Sequence, residues 1–156
     1  MSEKSLEKLY KDLEKYHKFD KDDYIEKFLN TMQFIITKKD SNAITILMKY
    51  LDDESEYEWI QQSIIHAIES FDDETYVPII LKNFSLLFDR ATEWLIDMIK
   101  RIINNHNCLN VFRKNMYLAD KESLLKLFDI MEKESPHHRE LIKELRAELD
   151  KSKNYG

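Results

Sequence analysis

The sequence predicts an all-α protein, and its composition and its apolar spacing carry this prediction. The only glycine among the 156 residues is Gly156, and the only prolines are Pro78 and Pro136. β-Sandwiches and barrels need glycine in tight turns, and parallel α/β folds usually need it in phosphate loops. Apolar residues recur at three- and four-residue spacing, the period of an amphipathic helix. We therefore expect connections built from Asp, Asn and Ser.

The first three helices follow from this spacing and from the polar residues at their starts. Residues 2–18 form an amphipathic helix that Ser2 can cap. The acidic run 20–23 begins a second, more fully buried helix, because carboxylates are favourable at the positive end of the helix dipole. A third helix follows the turn residues 40–42.

A capping box predicts where the fourth helix begins. In residues 55–58, Ser-Glu-Tyr-Glu, the Ser55 hydroxyl can accept from the amide of Glu58, whose carboxylate reaches back to the serine amide. The helix that follows is rich in isoleucine.

Five more helices complete the prediction. Residues 72–75 cap a fifth that reaches Leu87, with Pro78 in its first turn, where a missing amide costs little. Asp89 caps the sixth, the seventh is short, and Asp120 caps the eighth. The ninth is a charged, solvent-facing helix at the end of the chain.

A repeat favours a stacked array over a simple bundle. Glu58-Trp59-Ile60 matches Glu93-Trp94-Leu95 at a distance of 35 residues, and both begin isoleucine-rich helices. Helix pairs that repeat at this period are typical of a HEAT/armadillo-like α-solenoid, here of about nine helices in antiparallel pairs. An irregular helical bundle is the alternative.

The length indicates one helical domain over residues 1–156. Within it we expect N-terminal helices at 2–38, helix-pair repeats at 40–134 and a C-terminal capping helix at 136–152.

The charge of the chain is concentrated in one stretch. Residues 50–81 hold nine of the 30 acidic residues and none of the 24 basic ones. The remainder has 21 acids and 24 bases, so the net charge of −6 comes from this stretch. A field of one sign steers a partner of the opposite sign and discourages nucleic acid. The sequence therefore predicts a binding surface for a basic protein, with no direct contact to nucleic acid.

We expect the partner to bind this acidic stretch and the two tryptophan-bearing helices. The expected partner-binding residues are Asp52, Asp53, Glu54, Glu56, Glu58, Trp59, Gln62, His66, Glu69, Asp72, Asp73, Glu74, Trp94, Asp97 and Arg101. Packing between repeats is the simpler interpretation of the two tryptophans. If exposed, each shares a face with the polar residues of its helix and is a plausible hot spot.

No catalytic, metal or cofactor site is expected. His137 and His138 are adjacent, which fits neither zinc spacing, so we interpret them as surface histidines. Cys108 is the only cysteine, and packing is its simplest role. A small enzyme or a metal-dependent hydrolase that uses the histidines is a distant alternative.

The start of the sequence is a charged amphipathic helix rather than a charged-then-apolar leader, and the apolar runs are far shorter than the ~20 residues that cross a bilayer. We expect a cytoplasmic protein without membrane contact.

A short, acidic, glycine-poor helical chain with HEAT-like pairs and Glu-Trp-apolar helix starts, at 58–60 and 93–95, resembles the immunity proteins of bacterial toxin systems. The family that it most resembles is immunity protein 30, over residues 20–134. Such systems include contact-dependent growth inhibition and other polymorphic toxins. The resemblance implies a non-enzymatic inhibitor of one cognate toxin domain, often a nuclease, in the cytoplasm of the producing cell. It carries over no functional residue.

The sequence is thus interpreted as an immunity protein whose acidic surface occludes the active site of a basic toxin domain, which the family resemblance implies to be a nuclease. A helical-repeat adaptor that binds another basic protein or peptide is the alternative.

Overall fold

The computed structural model describes residues 4–152, except for the side chain of Ser152, and this part of the chain contains helices and no strand. Its ten α-helices are α1 (Leu6–Tyr16), α2 (Tyr24–Thr37), α3 (Asn42–Met48), α4 (Glu58–Glu69), α5 (Asp73–Lys82), α6 (Phe84–Arg90), α7 (Thr92–Ile103), α8 (His106–Asn115), α9 (Lys121–Glu134) and α10 (Arg139–Ser152). Two short 3-10 helices cover Met116–Leu118 and Pro136–His138. The prediction of an all-α protein is confirmed. In the described part, no helix is long and apolar enough to cross a bilayer.

The chain divides into two compact units, one that ends at Asp72 and one that begins at Asp73. In the first unit α1 packs on α2, and both α2 and α3 pack on α4. Its core side chains are almost fully shielded from solvent and include Leu13, Phe28, Met32, Ile35, Ile44, Leu47, Leu51, Ile60, Ile64 and Ile68.

The second unit has its own core. Here α5 packs on α8, α8 on α7, α7 on α6, α6 on α9 and α9 on α10. The buried residues of this core include Leu81, Phe84, Leu87, Leu95, Ile99, Phe112, Leu124, Phe128, Met131, Ile142 and Leu145.

Of the predicted N-terminal caps, one is confirmed, one is wrong and one cannot be compared with the structure. Asp120 caps α9 as expected, because its carboxylate accepts from the amide of Ser123 at 3.0 Å. Asp89 does not cap α7; it lies inside α6, and Ala91 precedes Thr92 at the start of α7. The Ser2 cap lies outside the described residues.

The predicted capping box is also wrong. The Ser55 hydroxyl accepts from the amide of Tyr57 at 3.2 Å, not from that of Glu58, and α4 begins at Glu58. The Ser55 hydroxyl thus closes a side-chain turn just before α4, and the half-buried Tyr57 ring meets Phe19 edge-on.

The fifth predicted helix is two helices, which explains why ten are observed where nine were predicted. Asn83 ends α5, since its side-chain amide donates to the carbonyl of Ile79 at 2.8 Å and its backbone amide donates to the same carbonyl at 3.2 Å. Pro78 is the sixth residue of α5 rather than a first-turn residue, so the carbonyl of Glu74 lacks the usual donor four residues on.

Within residues 4–152, the scarcity of glycine leaves two other residues in the left-handed region. Phe19 has φ 50° and Lys39 has φ 55°, each just after the end of a helix. This conformation costs a residue with a Cβ atom roughly 1–2 kcal/mol. Glycine is usual at such positions after a helix, so the ends of α1 and α2 carry this cost in conformational free energy.

We predict that Lys39→Gly raises the free energy of unfolding by about 0.5–1 kcal/mol, because glycine adopts positive φ without strain. The matched control is Lys133→Gly, the same change inside α9. That control should lower stability by about 0.5–1 kcal/mol. Urea unfolding of both variants measures the two effects, and a stability loss in both would contradict the strain at Lys39.

Candidate functional site

The connection between α3 and α4 carries the densest group of acidic side chains in the first unit. Glu54, Glu56 and Glu58 are exposed, and Asp52 is half-buried. Among the described residues, none of these four carboxylates forms an ion pair with a lysine or arginine. Their charges are therefore available to a partner.

Gln61 fixes this connection from inside. Its side chain is 2% exposed and lies in the first turn of α4. Its Oε1 accepts from the amide of Asp52 at 2.8 Å, and its Nε2 donates to the carbonyl of Tyr50 at 2.8 Å. The Asp52 carboxylate then accepts from the amide of Glu54 at 2.9 Å. The backbone of this connection is thus held by hydrogen bonds on both sides of Leu51.

Aromatic rings surround Phe28, a fully buried residue of α2. The centroids of Phe19, Tyr50 and His17 lie 5.5, 5.7 and 6.0 Å from its centroid. Tyr57 meets Phe19 edge-on at 4.9 Å. We call Phe28 and these four residues the aromatic cluster. It ties the α1–α2 connection to the α3–α4 connection, and such ring pairs stabilise a fold beyond the area they bury.

A groove of about 260 Å³ opens where the two connections meet. His17, Phe19, Tyr50 and Tyr57 line it on the aromatic side, and Gln61 lies at its base. The carboxylate-bearing residues that line it are Asp52, Glu54 and Glu56, and Lys49 is the one basic residue that the structure places there. We call this the acidic groove.

Partial desolvation decides the charge of His17, although the residue as a whole is exposed. Desolvation lowers the pKa of its imidazole below the ordinary value of 6.5, while the nearby Asp52 carboxylate acts in the opposite direction. The imidazole therefore stays neutral at pH 7, and it does not neutralise the carboxylates of the acidic groove.

The polar face of α4 holds most of the other predicted residues of the first unit. Trp59 is 52% exposed, so the packing interpretation does not hold for it. Gln62 and His66 are exposed and Glu69 is half-buried. With Glu58, these residues fall within an arc of about 100° on the helix, since each residue advances by 100°. Trp59 is thus an exposed aromatic residue within a polar surface.

The remaining predicted residues do not lie in the acidic groove. Asp72, the last residue of the first unit, is exposed. In the second unit, Asp73 and Glu74 lie in the first turn of α5, where they complement the helix dipole. Trp94 is half-buried on α7, while Asp97 and Arg101 are exposed on that helix. Asp53, on the α3–α4 connection, is exposed.

The histidines at the end of α9 have a structural arrangement. His138 Nε2 is 2.7 Å from Asn104 Oδ1, and its Nδ1 is 2.6 Å from Ser135 Oγ. Because Asn104 Oδ1 only accepts, Nε2 carries the proton and Nδ1 accepts from the serine. Burial, and then the charges of His137 and Lys100, lower the pKa of His138.

Within residues 4–152 there is no group of three or more side chains that could hold a metal ion. Cys108 is buried, with its Sγ 3.5 Å from the Tyr76 hydroxyl.

Comparison with protein families decides what kind of protein carries this surface. The family model described as immunity protein 30 matches residues 15–112, more than half of the chain. The chain belongs to the immunity protein 30 family. No curated protein and no solved structure matches this immunity protein.

Sequence reasoning missed the residues that shape the acidic groove of this immunity protein. Neither the aromatic cluster nor Gln61 was among the predicted site residues. A signal was present, because Tyr50 and Tyr57 flank the acidic run and aromatic residues beside unpaired carboxylates are suited to binding cations. These two tyrosines contact Phe19 and Phe28, which are distant in the sequence. The spacing of apolar residues along the chain does not predict such a contact.

We predict that Gln61→Met lowers the free energy of unfolding by about 2–4 kcal/mol, because methionine fills the space but leaves the Tyr50 carbonyl and the Asp52 amide without partners. Hydrogen exchange should accelerate at the amides of Asp52 and Glu54. Gln62→Met, at the neighbouring exposed position, is the control and should change stability by less than about 0.5 kcal/mol. Equal effects of the two substitutions would refute the role of the buried amide.

We predict that stability falls as the pH is lowered from 7 to 5. The unfolded chain protonates His17 near the ordinary value of 6.5, whereas the folded chain holds its pKa lower, so the unfolded state binds more protons in this window. His138 acts in the same direction. Thermal unfolding as a function of pH measures the loss, and His17→Phe should reduce it. A pH dependence that is unchanged in His17→Phe would contradict the lowered pKa of the partly desolvated His17 imidazole.

Proposed function

We propose that this immunity protein neutralises a cognate toxin by binding it, and that the α3–α4 connection is central to the interface. The single observation that carries this proposal is the set of exposed glutamates 54, 56 and 58, which form no ion pair among the described residues. Unpaired charges of one sign on a fixed backbone accelerate the encounter with a partner of the opposite sign. Membership of the family supports a toxin as that partner.

The toxin domain is proposed to be basic, and a nuclease is the kind of toxin that fits best. Enzymes that cleave nucleic acid carry Lys and Arg to bind phosphates. Carboxylates placed where the phosphates would lie occlude such a site, both sterically and electrostatically. Trp59 supplies apolar contact beside them, and the whole interface needs about 800 Å² on each partner. Asp72–Glu74, Trp94, Asp97 and Arg101 are proposed as further contact residues.

The repeat interpretation is part of the same proposal. In the first unit α2 contacts α4, and in the second α5 contacts α8. We propose that α1 pairs with α2, α3 with α4, α5 and α6 with α7, and α8 with α9. In that arrangement α2 and α4 are second helices, and α5 and α8 are first helices, of successive pairs, as in a HEAT-like stack. Trp59 and Trp94 then begin second helices of their pairs. We propose that the protein acts in the cytoplasm and is not an enzyme, within a contact-dependent inhibition or other polymorphic toxin system.

The second candidate is a helical-repeat adaptor for another basic protein. The exposed Trp59 on a polar face of α4 fits either function. Co-expression with a candidate toxin domain, sought among the products of neighbouring genes, separates the two, because only an immunity protein restores growth.

We predict that the triple variant Glu54→Lys, Glu56→Lys and Glu58→Lys slows association with that toxin domain by about ten-fold or more at low salt, since it reverses the steering field. It should also flatten the dependence of the association rate on ionic strength. Stopped-flow fluorescence or surface plasmon resonance at several salt concentrations measures both effects.

The matched control carries Glu26→Lys, Asp89→Lys and Glu134→Lys, three exposed acids that change the net charge by the same amount. It should retain most of the association rate. Equal slowing in both triple variants would show that net charge alone matters, and it would remove the α3–α4 connection from the mechanism.

A further inference from the structure

The acidic groove has the lining of a site for one cationic side chain. We propose that it binds a single arginine side chain presented by the partner, with the guanidinium between the aromatic rings and the carboxylates. That the partner is a toxin rests on the proposed function. The chemistry of the groove, by contrast, is a property of this chain and can be tested without the toxin.

The size of the groove suits one side chain. Its volume of about 260 Å³ is below the roughly 300–1,000 Å³ of sites that enclose a whole small molecule. Its walls are fixed before binding, because Phe19 and Tyr50 pack on the buried Phe28 and the Gln61 amide holds the opposite edge. A preformed site of this kind loses little entropy when it is filled.

The charges in the groove favour a cation. Asp52, Glu54 and Glu56 line it, against the one ammonium group of Lys49. His17 adds no positive charge at pH 7, since partial desolvation lowers its pKa. The carboxylates therefore outnumber the cations in a space that is otherwise lined by aromatic rings and by the neutral Ser55 and Gln61. An anionic ligand is repelled, and a neutral one gains nothing from the net charge.

Arginine fits these walls better than lysine does. The guanidinium is planar, stacks on aromatic faces and donates to carboxylates in pairs, whereas the ammonium of lysine is compact and strongly hydrated. Tyr57 and Phe19 meet edge-on, with an interplanar angle of 66°, and so present two faces at different inclinations. A flat cation can stack on one of these faces and still reach the carboxylates of Glu54 and Glu56.

The first test uses the full chain and three short peptides, acetyl-Gly-X-Gly-amide, in which X is arginine, citrulline or lysine. Citrulline keeps the shape of arginine without its charge. We expect saturable NMR shifts of the His17, Phe19, Tyr50 and Tyr57 resonances with the arginine peptide. Binding of the lysine peptide should be at least about three-fold weaker, because the compact lysine ammonium cannot stack flat on an aromatic face as the planar guanidinium does. Equal responses to arginine and citrulline, or to arginine and lysine, would overturn the proposal.

Two variants locate the site. Tyr57→Leu and Glu56→Gln should each weaken binding of the arginine peptide by about five-fold. Their controls are Tyr117→Leu, at a tyrosine that is 68% exposed in the second unit, and Glu134→Gln, at an exposed glutamate of α9. Circular dichroism shows whether each variant is folded, and Tyr57→Phe replaces Tyr57→Leu if the latter is not. The phenylalanine variant should bind as the wild type does, because it retains the ring. Loss of binding in the controls would overturn the assignment to this groove.

A candidate toxin domain, identified by the co-expression experiment, provides the second test. If it forms a complex that Tyr57→Leu or Glu56→Gln weakens at least five-fold, the arginine that fills the groove belongs to the toxin. A complex of unchanged affinity overturns the groove as a toxin contact and leaves the proposed function standing. If no complex forms, the proposed function fails, while the peptide experiment still decides whether the groove binds arginine.

Discussion

The buried side-chain amide of Gln61 makes the interaction on which the α3–α4 connection depends. It joins the carbonyl of Tyr50 and the amide of Asp52, the two backbone groups on either side of the fully buried Leu51. The connection is therefore anchored by packing at its centre and by hydrogen bonds at its edges. Carboxylates that follow such an anchor project from a fixed base. Folding of the chain already overcomes the repulsion between these carboxylates. Because their backbone is ordered before a partner arrives, binding carries no further cost for ordering it.

Features that arise within one turn of helix could be predicted from the sequence. The all-α class follows from apolar periodicity and from the near absence of glycine, and the Asp120 cap involves only residues within three positions of each other. The resemblance to the immunity protein 30 family was carried by composition and by the two Glu-Trp-apolar helix starts, which are also local, and the family model over residues 15–112 confirms it. In each case the determining atoms are close in the chain, so the pattern alone specifies the structure.

Features that depend on distant contacts could not be predicted. Ser55 has the pattern of a capping box, but the contact of Tyr57 with Phe19 accompanies a turn at residues 55–57, and α4 begins only at Glu58. The break at Asn83 likewise depends on side-chain hydrogen bonding that competes with continued helix. The acidic residues were recognised from the sequence, while the aromatic walls beside them come from two connections that are some thirty residues apart. Local pattern thus indicated the charge of the site but not its shape.

The burial of Cys108 has a practical consequence. It is the only cysteine of the chain, it lies on α8, and it is shielded in the core of the second unit beside the hydroxyl of Tyr76 on α5. A thiol in this position reacts with an alkylating reagent only while α5 and α8 separate. The alkylation rate of Cys108 therefore measures how often the second unit opens, and no engineered label is needed. A comparison of this rate with and without a bound partner shows whether complex formation restrains the part of the molecule that begins at Asp73.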